Sequence, residues 1–250
     1  MGQLEGRTAI VTGGGTGIGA ATAAAFVREG CRVALLGRRS EPLEQVRADL
    51  GPEVLAVPAD VGHPAAVRTA VDRIAQEWGR VDVLVNNAGL NVRRRTLEEL
   101  SAEDWDTILR VNLTGTFLVT QAALPHLRHG GAGTVINVSS MAGHRASALT
   151  GPAYSAAKAG VISFTESLNL TERRHGVRAC AVVPGEVATP ILDSRPVPPS
   201  AEARAAMLQP EDLAETFLHV AALPHRATIE LLTIYPTVQR DLSAESASRG

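Results

Sequence analysis

The chain has 250 residues, and its 24 basic and 26 acidic side chains leave a formal net charge of -2. That balance offers no field to draw nucleic acid or an anionic membrane. No apolar run approaches the roughly 18 residues of a membrane span, and the opening MGQLEGRTAIVTGG lacks the basic-then-apolar pattern of a secretory signal. A soluble cytoplasmic protein is expected, with Cys31 and Cys180 in apolar segments as free thiols of a reducing compartment.

The first candidate strand, TAIVT (8–12), runs into TGGGTGIGA (12–20), which opens a helical pattern over 17–30. A glycine-rich turn between a first strand and a first helix is where backbone amides and the helix dipole hold a dinucleotide pyrophosphate. Gly13, Gly15, Thr16, Gly17, Ile18 and Gly19 are the candidate contacts. Two registers fit: Gly15, Gly17 and Ala20 as G-x-G-x-x-A, or Gly13, Gly17 and Gly19 as G-x-x-x-G-x-G. The second strand, RVALLG (32–37), ends without the carboxylate that would bond the ribose hydroxyls of NAD. Arg38 and Arg39 follow it, and a guanidinium there favours NADP over NAD by pairing with the 2′-phosphate. A helix over 41–50 leads to the third strand, VLAVPA (54–59). Asp60 could cap a helix or touch the adenine; the adenine is preferred, with Val61 beside it.

A helix over 64–78 precedes the fourth strand, VDVLVN (81–86), and the run RRR follows at 93–95. A charge run alone specifies little, so a solvated loop is preferred there to an anchor for an anionic substrate. A long helical pattern over 104–129 opens with the carboxylates of SAEDW, and a fifth strand, TVINVS, occupies 134–139. A helix over 153–175, a sixth strand VRACAVV (177–183), a helix over 211–222 opened by QPEDL, and a last strand IELLTI (229–234) complete the series. Gly30, Gly79 and Gly176 stand just past helix ends. Near-continuous apolar strands alternating with helices predict an α/β fold: a single domain over 1–250, with a doubly wound parallel sheet of about seven strands and helices on both faces. Two segments read as irregular. The stretch 188–210 carries five prolines and is expected to be a lid over the substrate. The polar tail from Pro236 is expected to fray, with 238–250 disordered.

Lys158 is the sole lysine among the 24 basic residues, and Tyr154, one of two tyrosines, lies four residues before it. On a helix the two share a face. A nearby ammonium favours the phenolate and lowers the phenol pKa from about 10. The phenol can then exchange a proton with a carbonyl or alcohol oxygen. A compact ammonium on a flexible stem reaches both a ribose hydroxyl and the phenol, whereas a planar guanidinium imposes another geometry. His126 and His129 have helical spacing, but no carboxylate or cysteine completes a set around them, so no metal is expected.

The motifs TGGGTGIG (12–19), NNAG (86–89), VNLTGTF (111–117), INVSS (136–140), YSAAK (154–158) and VVPGEVAT (182–189) occur in that order. Together, over about residues 4–222, they resemble the short-chain dehydrogenase/reductase family. The resemblance implies Tyr154 as general acid/base, Lys158 binding the nicotinamide ribose and lowering the tyrosine pKa, and Ser140 bonding the substrate oxygen. It implies that Asn112 holds a water relaying protons to Lys158, and it favours the register of Gly13, Gly17 and Gly19. Asn87, Ala88 and Gly89 would flank the adenosine ribose. Val187 and Thr189 would contact the nicotinamide carboxamide, with Pro184 and Gly185 of the same motif beside the cofactor. Ser139 is less favoured than Ser140 on strand position. A homo-oligomer, dimer or tetramer, is implied through the helices near 104–129 and 153–175. Two features depart from the family: the Ser140–Tyr154 interval is one residue longer than is common, and HRATIELLTIYPT (225–237) replaces a glycine-rich ending. The activity expected is hydride transfer between NADP(H) and a small carbonyl or secondary-alcohol substrate. The rivals are a dehydratase or epimerase using the same cofactor, and a non-catalytic NADP(H)-sensing protein, which would not need Asn112, Ser140, Tyr154 and Lys158 together.

Overall fold

The computed structural model describes residues 2–239. Strands β1 (Thr8–Thr12), β2 (Arg32–Gly37), β3 (Val54–Pro58), β4 (Val83–Asn86), β5 (Thr134–Val138), β6 (Arg178–Pro184) and β7 (Leu231–Ile234) form one sheet. Their order is β3-β2-β1-β4-β5-β6-β7, and every pairing is parallel. The chain winds outward from β1 to β3, then returns to place β4 on the other side of β1. Ligand crevices open beyond the carboxyl ends of the strands at such a reversal. The expected seven-stranded parallel sheet is therefore observed.

Helices α1 (Gly17–Arg28), α2 (Ser40–Leu50), α3 (Pro64–Trp78), α4 (Ala102–Leu109), α5 (Gly115–His129), α6 (Met141–His144), α7 (Pro152–Glu172), α8 (Ala201–Ala205) and α9 (Pro210–Ala222) connect the strands. Side chains alternate across the sheet, so β1 feeds two cores. Ala9 and Val11 join Phe26 of α1 and Leu213 and Phe217 of α9 on one face. Ile10 joins Val67 and Ile74 of α3 and Val119 and Leu127 of α5 on the other. Each fully buried side chain of this kind contributes roughly 1.5–3 kcal/mol. Burial on both faces explains why the strands read as apolar runs without alternation.

Local signals act where the sequence put them. Ser101 Oγ accepts from the Asp104 amide at 3.0 Å, and Asp212 Oδ2 accepts from the Gln209 amide at 2.8 Å, so both acidic helix starts are capped. Gly79 (φ 73°) and Gly176 (φ 72°) close their helices in the left-handed conformation.

Two expectations are refined. The helical pattern over 104–129 is found as continuous helical backbone from Ala102 to His129, but α4 and α5 are joined by a π-helical turn, Arg110–Thr114. One extra residue shifts the apolar register by a single position, which a periodicity reading over the whole pattern does not resolve. The 188–210 segment is not wholly irregular: it holds a 3-10 turn at Pro190–Ser194, then α8, whose N-terminus is capped by Ser200 Oγ accepting from the Ala203 amide at 3.2 Å. A parallel bridge between Val187 and Leu208 pins both ends. Pro236 and Gln239 line the main cleft. Most of the expected tail, 240–250, lies outside the described residues.

Among the described residues no helix is long and apolar enough to cross a membrane. Cys31 and Cys180 are buried and unpaired. Burial pushes both thiols up to about 12, so they stay protonated and unreactive.

Candidate active site

The glycine loop between β1 and α1 is built around three positions. Gly13 (φ 65°) and Gly17 (φ 53°) adopt conformations that other residues rarely take. A β-carbon on Gly19 would lie 2.2 Å from the Gly13 carbonyl oxygen. The backbone thus demands glycine at 13, 17 and 19, in the second of the two registers. Thr16 precedes α1 without a side-chain capping bond, leaving the first-turn amides uncommitted to it.

Thr12 ties this loop to the NNAG segment. Its Oγ1 accepts from the Asn87 and Ala88 amides at 2.9 and 3.0 Å, while Asn87 Nδ2 donates to the Thr12 carbonyl at 3.0 Å. Sequence reasoning missed Thr12, whose one signal is its place at the junction of strand and glycine loop.

A cleft of about 590 Å³ opens at the carboxyl ends of β1, β4, β5 and β6, next to a recess of about 170 Å³. Gly13, Thr16, Gly17, Ile18, Asn87, Ala88, Gly89, Ser140, Tyr154, Lys158, Pro184, Gly185, Val187 and Thr189 line the cleft. Gly15, Arg38, Asp60 and Val61 line the recess, and Arg39 borders both. Asp60 also closes its own turn, Oδ1 accepting from the Gly62 amide at 2.9 Å. Gly19 and Asn112 lie behind these walls as supports. A tight glycine loop, exposed guanidiniums at the end of β2 and adjoining cavities at the switch point fit a dinucleotide.

At the end of β5 the two serines have different tasks. Ser139 Oγ donates to the Lys158 carbonyl at 2.7 Å and is buried. Ser140 faces the cleft, its Oγ accepting from the Ala142 amide at 3.2 Å, and its hydroxyl favours the ionised form of the Tyr154 phenol. Lys158 Nζ donates to the Val138 carbonyl at 2.8 Å and sits 5.7 Å from the Tyr154 ring centroid. Gly89 leaves it space: a β-carbon there would be 3.5 Å from Lys158 Nζ and 3.2 Å from Asn112 Oδ1. Asn112, in the π-turn, clamps the backbone of Leu90, Oδ1 accepting at 2.8 Å and Nδ2 donating at 2.9 Å.

Burial brings the Lys158 ammonium down from 10.5 to about 8. Tyr154 is shifted the other way from expectation. Burial raises its pKa, and the opposing influences are the Ser140 hydrogen bond and the charges of Arg95 and Arg195. The expected lowering by Lys158 does not govern this state, because the ammonium is directed at Val138 O and desolvation of the phenolate dominates.

The run RRR also divides. Arg93 and Arg94 are exposed, as a solvated loop requires, but Arg95 is 3% exposed and lines the cleft. Arg195, buried in the same wall, pairs with Glu186 at 2.8 Å. The unusual C-terminus supplies another wall: the Tyr235 hydroxyl donates to Met141 Sδ at 2.6 Å, and the Gly185 amide donates to Ile234 O at 2.8 Å.

Residues 7–197 match the family described as short chain dehydrogenase, and the chain belongs to the short-chain dehydrogenase/reductase family. It is accordingly an oxidoreductase with a Rossmann-like, nicotinamide-dinucleotide-binding fold. Sorbitol dehydrogenase of Cereibacter sphaeroides is 40% identical over 186 residues, which are 74% of this chain and 72% of that protein. The 3-ketoacyl-(acyl-carrier-protein) reductase from Brucella melitensis, solved with NADH, superposes with a TM-score of 0.85 at 30% identity, over 94% of this chain and 98% of that one. The closed form of serine dehydrogenase, solved with NADP+, does so with a TM-score of 0.86 at 31% identity, over 94% and 96%.

Proposed function

We propose that the protein interconverts a secondary alcohol and a carbonyl compound with NADP(H) in preference to NAD(H), using Tyr154 as general acid/base. The observation that carries this reading is the convergence of Ser140, Tyr154 and Lys158 on one wall of the cleft that begins at the glycine loop. When bound, the nicotinamide supplies or takes up the hydride. Gly13, Gly17, Ile18 and the α1 amides would hold the pyrophosphate, Arg38 and Arg39 would meet the 2′-phosphate, and Asp60 and Val61 would border the adenine. Lys158 would take ribose hydroxyls, and Val187 and Thr189 would take the carboxamide. Asn112 fixes the Leu90 segment and holds the water through which Lys158 exchanges protons.

Ser140 orients the substrate oxygen towards Tyr154. In reduction the carbonyl carbon gains a hydride and its oxygen the phenolic proton; oxidation reverses both. Burial keeps Tyr154 protonated, the form needed to donate. Oxidation needs the phenolate and is therefore favoured as pH rises. The solved relatives differ in cofactor, one holding NADH and another NADP+. The two exposed guanidiniums after β2 support NADP here.

The whole chain acts as one catalytic domain with 188–210 as its lid. Phe117 of α5 packs edge-on to Phe164 of α7, and with exposed Leu170 it supports homo-oligomer formation through these helices. Buried unpaired cysteines support a cytoplasmic setting.

Titration with NADPH and NADH, followed by reduced-nicotinamide fluorescence, tests the cofactor. Tighter NADPH binding, lost in the Arg38→Ala/Arg39→Ala variant, is expected. Tyr154→Phe is expected to bind NADPH as the wild type does and to lose about 10²–10⁴-fold in turnover. Turnover close to wild type in that variant would remove Tyr154 from the chemistry.

A further inference from the structure

Beside Ser140 and Tyr154 the cleft is lined by apolar side chains that serve no core of the fold. Met141 and Leu149 come from the segment after β5, Ile191, Leu192 and Met207 from the 188–210 segment, and Tyr235 from the segment after β7. The two cores of the sheet and the small cluster of Ile108, Ala153 and Ala157 include none of them. Leu149, Leu192 and Met207 are buried, Met141 and Ile191 are half-buried, and Tyr235 is exposed. Buried members thus back a face of partly exposed ones. Apolar surface held open at a concave wall is stabilised when hydrocarbon covers it and releases its water. Met141, unbranched and soft, adapts to the shape of what covers it.

The polar side chains on the same side are turned to protein partners. Asn91 Nδ2 donates to the Thr150 carbonyl at 2.9 Å, and its Oδ1 accepts from the Val92 amide at 2.9 Å. Thr150 Oγ1 donates to the Ser147 carbonyl at 3.0 Å, and Ser194 Oγ donates to the Ile191 carbonyl at 2.8 Å. Arg95 donates to the Leu149 carbonyl and to Ser194, and Arg195 pairs with Glu186 at 2.8 Å. The Tyr235 hydroxyl is directed at Met141 Sδ, 2.6 Å away. Arg145 and Gln239 also line the cleft, but as exposed side chains. A further hydroxyl on the substrate would therefore have to displace an internal bond or be buried without a partner, and either is unfavourable. Hydrocarbon laid against the apolar wall displaces no such bond.

We propose that Met141, Leu149, Ile191, Leu192, Met207 and Tyr235 form the wall that receives the body of the substrate. The substrate is then a secondary alcohol or ketone carried on an aliphatic or alicyclic hydrocarbon, not on a polyhydroxylated chain. This inference rests on the oxidoreductase reading given above. The hydrocarbon undergoes no bond change: in oxidation the carbinol carbon gives its hydride to the nicotinamide and the hydroxyl gives its proton to Tyr154.

The test compares alcohols of matched skeleton, sec-butanol beside threitol and cyclohexanol beside inositol, in initial rates with NADP+ and NAD+. Each hydrocarbon alcohol should exceed its polyol by about 100-fold or more in kcat/KM, mainly through KM. Lengthening linear methyl carbinols should add about fourfold per methylene until the wall is covered. In Ile191→Thr and Met141→Gln, each first checked for wild-type NADPH binding, the advantage over the polyol should fall about tenfold. Calorimetric titration of cyclohexanone into NADPH-saturated Tyr154→Phe reads the same wall without turnover. Polyols used as well as or better than the hydrocarbon alcohols would overturn the substrate class and leave the oxidoreductase reading standing. An advantage unchanged in both variants would overturn the assignment to this wall. Cyclohexanone bound, with no alcohol or ketone turned over by the wild type, would support the wall and overturn the oxidoreductase reading. Neither binding nor turnover of the hydrocarbon compounds would overturn the substrate class.

Discussion

Replacing Lys158 by Met should change stability in a way that depends on pH. Lys158 is 4% exposed, and burial lowers its pKa from 10.5 to about 8. The difference is worth about 3 kcal/mol at about 1.4 kcal/mol per pH unit. The sign follows from proton counts. Below about 8 both folded and unfolded chains carry the ammonium, and the folded state bears the full cost of burying it. Between about 8 and 10.5 the unfolded chain holds a proton that the folded one has released, so stability rises with pH. From pH 7 to 9.5 the cofactor-free wild type should therefore gain about 2 kcal/mol relative to Lys158→Met. Loss of the bond from Nζ to Val138 O offsets part of the variant's advantage, by about 1–3 kcal/mol, and the difference between ammonium and amine as donor is already contained in the folded-state pKa, so the slope is unchanged. Urea unfolding at fixed protein concentration and half-unit pH steps, followed by the fluorescence of Trp78 and Trp105, measures the difference. A difference flat from pH 7 to 9.5 would refute a strongly desolvated ammonium at this site.

Three further substitutions probe the scaffold. Gly19→Ala forces a methyl group to within 2.2 Å of the Gly13 carbonyl oxygen, so it should cost about 1–3 kcal/mol in denaturant unfolding and weaken NADPH binding at least about tenfold; wild-type values for both would mean the loop is pliant. Thr12→Val keeps the side chain's shape but removes the acceptor for the Asn87 and Ala88 amides, a loss of about 1–3 kcal/mol with weaker cofactor binding, read by the same two assays. Arg178, 6% exposed, donates to Thr134 Oγ1 and to carbonyls at the end of α9 that include Val220, Ala221 and Leu223. Arg178→Met should therefore lower stability by about 3 kcal/mol or more while leaving cofactor affinity unchanged.

What was legible in the sequence was set by local rules. The parallel pairing of about seven strands follows from alternating apolar runs and helices, whereas the strand order and the choice between the two glycine registers needed backbone geometry or the family resemblance. Tyr154 and Lys158 share a helix face, which spacing reveals, whereas Ser140, just past β5, is singled out only by the family resemblance. Other features depend on the environment a folded chain creates. The π-turn at Arg110–Thr114 shifts the apolar register by one position, too local a change to stand out in a long helical pattern. The direction of the Tyr154 shift was misjudged because a pair of charges can be counted from sequence, whereas the desolvation that outweighs them cannot. Within RRR, three identical residues gave no sign that Arg95 alone turns inward to Leu149 and Ser194.

The same division separates chemistry from specificity within the site. Ser140, Tyr154 and Lys158 are held by bonds to the ends of rigid elements: Ser139 to the Lys158 carbonyl, Lys158 to Val138 O, Ser140 to the α6 amide. A proton-transfer group has to stay within hydrogen-bond reach of its target, and strand ends and helix faces provide that constancy. Arg95, Arg195 and Tyr235 reach the cleft from three segments far apart in sequence, each fastened by tertiary bonds to a neighbouring loop or strand. Their positions can change without disturbing the sheet, because none of them carries a core strand. Tyr235 packs against Gly185 and Met141, so the segment after β7, which lies beyond the family match at 7–197, is also a wall of the cleft. On the proposed function, the residues that shape the rest of the cleft, Arg95, Arg195 and Tyr235, are thus fastened separately from those that would transfer the proton.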